Sequence, residues 1–166
     1  MRSGRALIKV LMVVILASAA MAAIYYVLNE MRVAKACSEQ LLRIYKALEL
    51  YELDRGALPT LAYFPDDAFE DPDSLMVALT PFGIDHATAI CPSSPGILED
   101  IGLTYIWNVR LNGQKLSQTG EPQWMLVEMS ALSADVPAPH MGRYNVLYTD
   151  GTIRQLRDPL QVLRGL

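Results

Sequence analysis

Residues 10–28 read VLMVVILASAAMAAIYYVL, and residues 29–55 continue as NEMRVAKACSEQLLRIYKALELYELDR. The first stretch is nineteen residues without a charge, just long enough to cross about 30 Å of hydrocarbon as a helix. Tyr25 and Tyr26 fall near its far end, where amphipathic rings favour the membrane interface. In the second stretch Ala34, Cys37, Leu41, Ile44, Leu48 and Tyr51 recur at spacings of three and four, one stripe of an amphipathic helix. Lys35 with Glu39 and Glu39 with Arg43 form i,i+4 pairs on another face. No Pro or Gly occurs from Arg5 to Arg55, and Gly56 and Pro59 supply the stop. The two stretches therefore predict one helix of about fifty residues, or about 75 Å, half in a membrane and half packed on a domain. Two or three heptads are too few to read the stripe as a coiled coil.

Over the whole chain, the 166 residues are 52% hydrophobic and 19% charged, with a mean hydropathy of +0.21. The apolar excess sits in the front segment, and the remainder of the chain is sized for a single globular core. A multi-domain enzyme is excluded. Arg2, Arg5 and Lys9 precede the apolar run and all 18 acids come after it. From Asn29 onward, 11 basic residues stand against 18 acids, a formal charge of −7. The basic residues are scattered, which argues against nucleic-acid binding. The basic start predicts a cytoplasmic N-terminus and an exported remainder, although Arg32, Lys35, Arg43 and Lys46 come soon after the run. Ala20-Met21-Ala22 also resembles a signal-peptide cleavage site, which would release a soluble protein starting at Ala23. Apolar character continues past it through Ile24, Val27 and Leu28, so the anchored reading is preferred. Nothing downstream is apolar enough to surround the segment as a buried helix.

Beyond the helix, Asp71-Pro72-Asp73 reads as the cap and first turn of a short helix running to about Leu79, ended by Pro81 and Gly83. The period then changes. Leu103–Val109, Trp124–Met129, Tyr144–Thr149 and Thr152–Leu156 are short β-branched or aromatic runs between turn residues. Asp150-Gly151 between the last two predicts a two-residue hairpin with positive φ at both positions. The expected architecture is α+β, with a small antiparallel sheet covered by the long helix, the only large apolar surface left to cover it.

HMGRYNVLYTDGTIRQL, residues 140–156, contains His140, nine residues, then Asp150-Gly151. In this the chain resembles the type IV pilin-like proteins, specifically pseudopilin-like ones with the His, nine residues, Asp-Gly processing-associated motif. Three further stretches are similar in the same order: Gly4-Arg5-Ala6-Leu7-Ile8, the helix end CSEQLLRIYKALELYELDRGALP, and Cys91-Pro92-Ser93 followed by Thr104-Tyr105-Ile106-Trp107-Asn108. The resemblance implies a leader of residues 1–4 cut between Gly4 and Arg5 by a prepilin peptidase, with methylation of the new N-terminus. It implies a membrane half-helix at 5–29, an amphipathic half at 30–56 and a pilin-like head at 57–166. The partners implied are the lipid bilayer and other pilin-like subunits, and the location is the inner membrane with a periplasmic head, or a filament at the cell surface. The chain departs from the family at Arg5, usually aromatic, and at Lys9, usually a Glu that neutralises a neighbouring subunit's free amine in the bilayer. Three readings fit this departure: a tip or minor subunit, a retained membrane protein that never polymerises, or a chain whose leader is not processed; a minor or divergent pseudopilin is preferred.

Candidate chemistry is sparse. His140, in the Pro-rich loop VPAPHMG, has Asp150, Glu128 and Asp135 as conceivable acid/base partners, but a ring fixing the loop is the stronger reading, and Asp150 is explained by turn chemistry. No nucleophile elbow, phosphate loop or metal-spaced His/Cys set is present, so the chain reads as non-enzymatic and without a cofactor. Cys37 and Cys91, the only cysteines, form either a disulfide after export or two buried thiols. Asp66, Asp67, Glu70, Asp71 and Asp73 are candidate calcium ligands, as in some major pseudopilins, or a solvated loop. His86 and Trp107 read as packing or surface residues. The expectation is a structural subunit of a type II secretion or type IV pilus-like machine. The alternative is an exported binding module, secreted or anchored, that does not polymerise, and a small anchored hydrolase ranks third.

Overall fold

The computed structural model describes residues 2–94, 96–133, 135–158 and 163, with side chains from residue 8 onward except at 97 and 99. Helix α1 (Arg2–Arg55) is continuous over 54 residues, in keeping with the absence of Pro and Gly from Arg5 onward. It stops where Gly56 takes φ +84° and donates its N–H to the Glu52 carbonyl at 2.7 Å. Its two halves differ in surroundings. Ile8 to Leu28 is exposed along its whole length, and this apolar run is long enough to cross a membrane. Cys37, Leu41, Ile44 and Leu48 are fully buried, Ala47 joins them, and Tyr51 packs at the edge. The predicted stripe is thus the face on which the head is built. Lys35 and Glu39 pair at 3.7 Å on the solvent side.

The short helix α2 (Leu75–Leu79) begins later than its sequence suggests. Its cap is Ser74, not Asp71: the buried Ser74 Oγ accepts from the Met76 N–H and donates to the Ala68 carbonyl at 2.7 Å. Asp71 turns back instead and accepts the Asp67 N–H at 2.7 Å. A 3-10 turn at Thr80–Phe82 and a left-handed Gly83 close the segment. Two further single-turn helices come next, α3 (His86–Ala89) and α4 (Gly96–Glu99). Gln40 of α1 donates to the Ala87 carbonyl of α3 at 2.7 Å.

Four strands, β1 (Tyr105–Trp107), β2 (Trp124–Glu128), β3 (Tyr144–Tyr148) and β4 (Ile153–Leu156), form one antiparallel meander in the order β1-β2-β3-β4. Each is shorter than the apolar run that announced it. β1 ends at Trp107 because the Asn108 side chain accepts the Arg110 N–H and caps a 3-10 turn. The last hairpin is not the expected two-residue loop. Only Gly151 has positive φ, +76°; the Tyr148 N–H reaches the Thr152 carbonyl and the Gly151 N–H the Tyr148 carbonyl, both at 2.9 Å. Thr149, Asp150 and Gly151 therefore form a three-residue loop, which lets Asp150 keep an ordinary backbone.

The sheet is covered on both sides. Tyr105, Trp107, Leu126 and Leu147 belong to the core built on α1, whereas Ile106, Val127, Val146 and Tyr148 form a second cluster with Leu98, Met129 and Leu163. The long helix is therefore not the sole cover, in keeping with the unalternating apolar run of β2.

Candidate functional site

Register brings four polar side chains into one row. Tyr105 on β1 stands opposite Glu128 on β2, and Asn145 on β3 opposite Gln155 on β4. The Val127–Val146 pairing makes Glu128 and Asn145 neighbours. Glu128 and Asn145 are fully buried. The Glu128 carboxylate accepts the Asn145 backbone N–H on Oε2 at 2.9 Å and its side-chain amide on Oε1 at 3.2 Å. The Gln155 amide donates to Asn145 Oδ1 at 3.2 Å.

His140 reaches this row by an unusual path. His140, Met141 and Gly142 have φ of 52°, 57° and 80°, three successive left-handed residues, closed by the Arg143 N–H on the Pro139 carbonyl at 2.9 Å. Holding non-glycine residues there costs about 1–3 kcal/mol each. The turn buries the imidazole while leaving Met141 outside. His140 Nε2 lies 2.6 Å from Glu128 Oε1, and Nδ1 lies 3.3 Å from Ser93 Oγ. At 2.6 Å this contact is a hydrogen bond between imidazole and carboxyl.

The third component is the disulfide Cys37–Cys91, which ties α1 to the segment after α3 across 54 residues of sequence. Cys91 Sγ is 3.5 Å from His140 Nε2 and 3.6 Å from Glu128 Oε1. The Cys91 N–H donates to Thr104 Oγ1 at 2.7 Å, and the Thr104 hydroxyl donates to the Ala89 carbonyl at 3.2 Å. Tyr105, across from Glu128, is held neutral: burial pushes its phenol well above the usual value and the Glu128 charge adds to this. Its hydroxyl has no hydrogen-bond partner among the described residues. Cys37, Cys91, Glu128 and His140 place one potential ligand atom each within 4.8 Å of one another. The set can share a proton, hold a disulfide or coordinate a soft to borderline cation.

Of the residues singled out by sequence, His140 meets Glu128, while Asp135 is exposed elsewhere and Asp150 is committed to its own hairpin. Asp150 Oδ1 accepts the Thr152 N–H at 2.9 Å and its hydroxyl at 2.6 Å, and these bonds hold the carboxyl below the ordinary range. The nine residues between His140 and Asp150 are β3 with its approaches. Both ends of that span bear on α1, His140 through the disulfide at Cys37 and Gly151 against the ring of Tyr45. Cys37 and Tyr45 are eight residues apart, about 12 Å along a helix.

In the acidic loop, Asp67 Oδ1 accepts the N–H groups of Phe69 and Glu70. Asp66, Glu70 and Asp73 are exposed and Asp71 is half-buried. His86 lies against the Phe69 ring at 4.9 Å, and Trp107 Nε1 donates to Asn112 at 2.7 Å. Gly4 and Arg5 are helical, with side-chain positions outside the described residues, and Lys9 is exposed. Sequence reasoning did not connect Ser93, Thr104, Tyr105 or Asn145 to His140. The available signal was Glu128 itself, the one acid inside the apolar run WMLVEM.

Fold and site together define a chain with one long N-terminal helix and a disulfide-fastened α+β head. No family model matches it, and neither the curated proteins nor the solved structures give a match.

Proposed function

We propose that the chain is a structural, non-catalytic pilin-like subunit, a minor or divergent pseudopilin, that assembles through its N-terminal helix in a type II secretion or type IV pilus-like machine. One observation carries this reading. The apolar half of α1 is continuous with the helix that carries the head, yet Val10, Leu11, Val13, Val14, Ile15 and Leu16 are each more than half exposed. Such a surface needs a bilayer around it, and in this reading the helices of neighbouring subunits share it. Leu42, Leu50 and Leu53 extend apolar exposure along the head half of the same helix. In this reading the N-terminus is cytoplasmic, the head is periplasmic, and the disulfide suits an oxidising compartment.

Lys9 favours a second form of the reading. An ammonium there repels a neighbouring subunit's free amine, which suits a tip subunit or an anchored module that does not polymerise. Intact-mass spectrometry of protein extracted from native membranes tests the proposal. A chain starting at methylated Arg5 is expected. A chain retaining Met1, or starting at Ala23, contradicts processing as a pilin.

A further inference from the structure

We propose that Cys37, Cys91, Glu128 and His140 form a zinc site when the disulfide is reduced, so that the buried centre of the head holds either a disulfide or a tetrahedral Zn²⁺. This stands independently of filament assembly.

The distances fit. Tetrahedral zinc with bonds of about 2.3 Å to sulfur and about 2.0–2.1 Å to nitrogen or oxygen sets its ligands about 3.5 Å apart for S···N and S···O pairs. Cys91 Sγ already lies 3.5 Å from His140 Nε2 and 3.6 Å from Glu128 Oε1. Cys37 Sγ, within 4.8 Å of the other ligand atoms, must settle at the same spacing, and two further adjustments remain. The sulfurs must separate once their bond is gone, and the 2.6 Å His140–Glu128 contact must open by about 0.7 Å to the N···O spacing of a tetrahedral site.

The surroundings are also those of a ligand shell. Ser93 Oγ sits on His140 Nδ1, the arrangement that fixes a ligating imidazole and directs Nε2 at the metal. Asn145 donates twice to the Glu128 carboxylate and so orients it. A disulfide alone needs neither group, and a buried carboxylate–imidazole pair is no more stabilising than apolar side chains of similar size. The left-handed turn that aims His140 inward adds backbone strain for the same placement. A cleft lined by Tyr26 and Glu30 of α1 and by Ser93, Pro139, His140 and Met141 borders the cluster at His140.

The chemistry balances with a dithiol or phosphine as reductant. Two electrons cleave the Cys37–Cys91 bond and two protons complete the thiols, while the reductant becomes a disulfide or a phosphine oxide, water supplying the oxygen in the latter case. Zn²⁺ then displaces both thiol protons, releasing two to solvent, and takes the lone pair of His140 Nε2 as the imidazole proton moves to Nδ1, where Ser93 Oγ can accept it. Reoxidation by a disulfide-bearing oxidant expels the metal. Thiolate, imidazole and carboxylate together select zinc over calcium or magnesium.

The test uses the full chain in detergent with Co²⁺ as a spectroscopic substitute and Zn²⁺ as competitor. Phosphine-reduced protein is expected to take up one Co²⁺ per chain with intense tetrahedral d–d bands and thiolate charge transfer, displaced by Zn²⁺. Oxidised protein is expected to show none of these. Glu128→Gln and His140→Ala should each weaken Co²⁺ uptake and shift the d–d bands as water replaces the lost ligand, and the milder Ser93→Ala should weaken affinity about tenfold. The proposal is overturned by equal uptake in the oxidised chain, by uptake indifferent to Glu128→Gln and His140→Ala, or by a reduced chain that binds no metal. Loss of fold on reduction that Zn²⁺ does not restore overturns it as well, because a structural metal contributes its binding energy to folding.

Discussion

His140 Nε2 and Glu128 Oε1 lie 2.6 Å apart with side chains no more than 1% exposed. This contact joins the left-handed turn before β3 to the end of β2, and Asn145 holds the carboxylate from the other side. Truncating one partner leaves the other buried without compensation. Glu128→Leu, which strands both His140 and the Asn145 N–H, is expected to cost about 3–5 kcal/mol. Glu128→Gln, which keeps the shape, should cost less. Urea unfolding of the oxidised full chain in detergent checks the order.

The disulfide closes a loop across 54 residues. Replacing Cys37 and Cys91 together by Ser is expected to lower the stability of the head by about 4 kcal/mol through the entropy of the unfolded chain. Unfolding midpoints of the variant and of the oxidised protein provide the comparison.

Gly151 is required twice over. Its φ is +76°, and a Cβ there would sit 2.9 Å from Tyr45 Cε1, whose ring is held by a bond from its hydroxyl to the Thr149 carbonyl. Gly113 has φ +68° with open space around it. Gly113→Ala should therefore show only the backbone cost, about 1 kcal/mol, while Gly151→Ala costs more. Thermal melts of the two variants separate the effects.

Acid should loosen the last hairpin. The Thr152 hydroxyl and N–H hold the Asp150 carboxyl below 3.8, so the folded chain takes up that proton less readily than the unfolded one. The resulting stability is fully present above pH 3.8 and is lost as pH falls through the lower folded value. Asp150 is exposed, so the effect is small. Asp150→Asn is expected to flatten that acid limb and leave stability at neutral pH lowered, which a pH series of unfolding midpoints measures.

Local pattern carried α1 and the strands because each announces itself within a few residues. The stripe through Cys37, Leu41, Ile44 and Leu48 has helical spacing, and the four β runs have turn residues between them. What escaped depends on contacts distant in sequence. Ser74 caps α2 because its hydroxyl also finds the Ala68 carbonyl, six residues back, whereas Asp71 is drawn to Asp67. The second core cluster gathers Leu98 and Leu163 from opposite sides of the sheet sequence. Glu128 was visible as an acid in an apolar run and was one of three partners named for His140. Its choice over Asp150 and Asp135 is set by strand register and by the left-handed turn. A loop that reads VPAPHMG does not announce two consecutive non-glycine residues with positive φ.

At the centre of the proposed function stands the apolar half of α1 as an assembly surface within the membrane. Leu16 is 69% exposed on it. A photo-crosslinking amino acid at position 16, activated in native membranes, tests that role without disturbing the head. A ladder of covalent adducts with further copies of this chain, or with other single-helix subunits of similar size, is expected. Crosslinks to lipid alone, with the chain remaining monomeric, would contradict assembly through this helix.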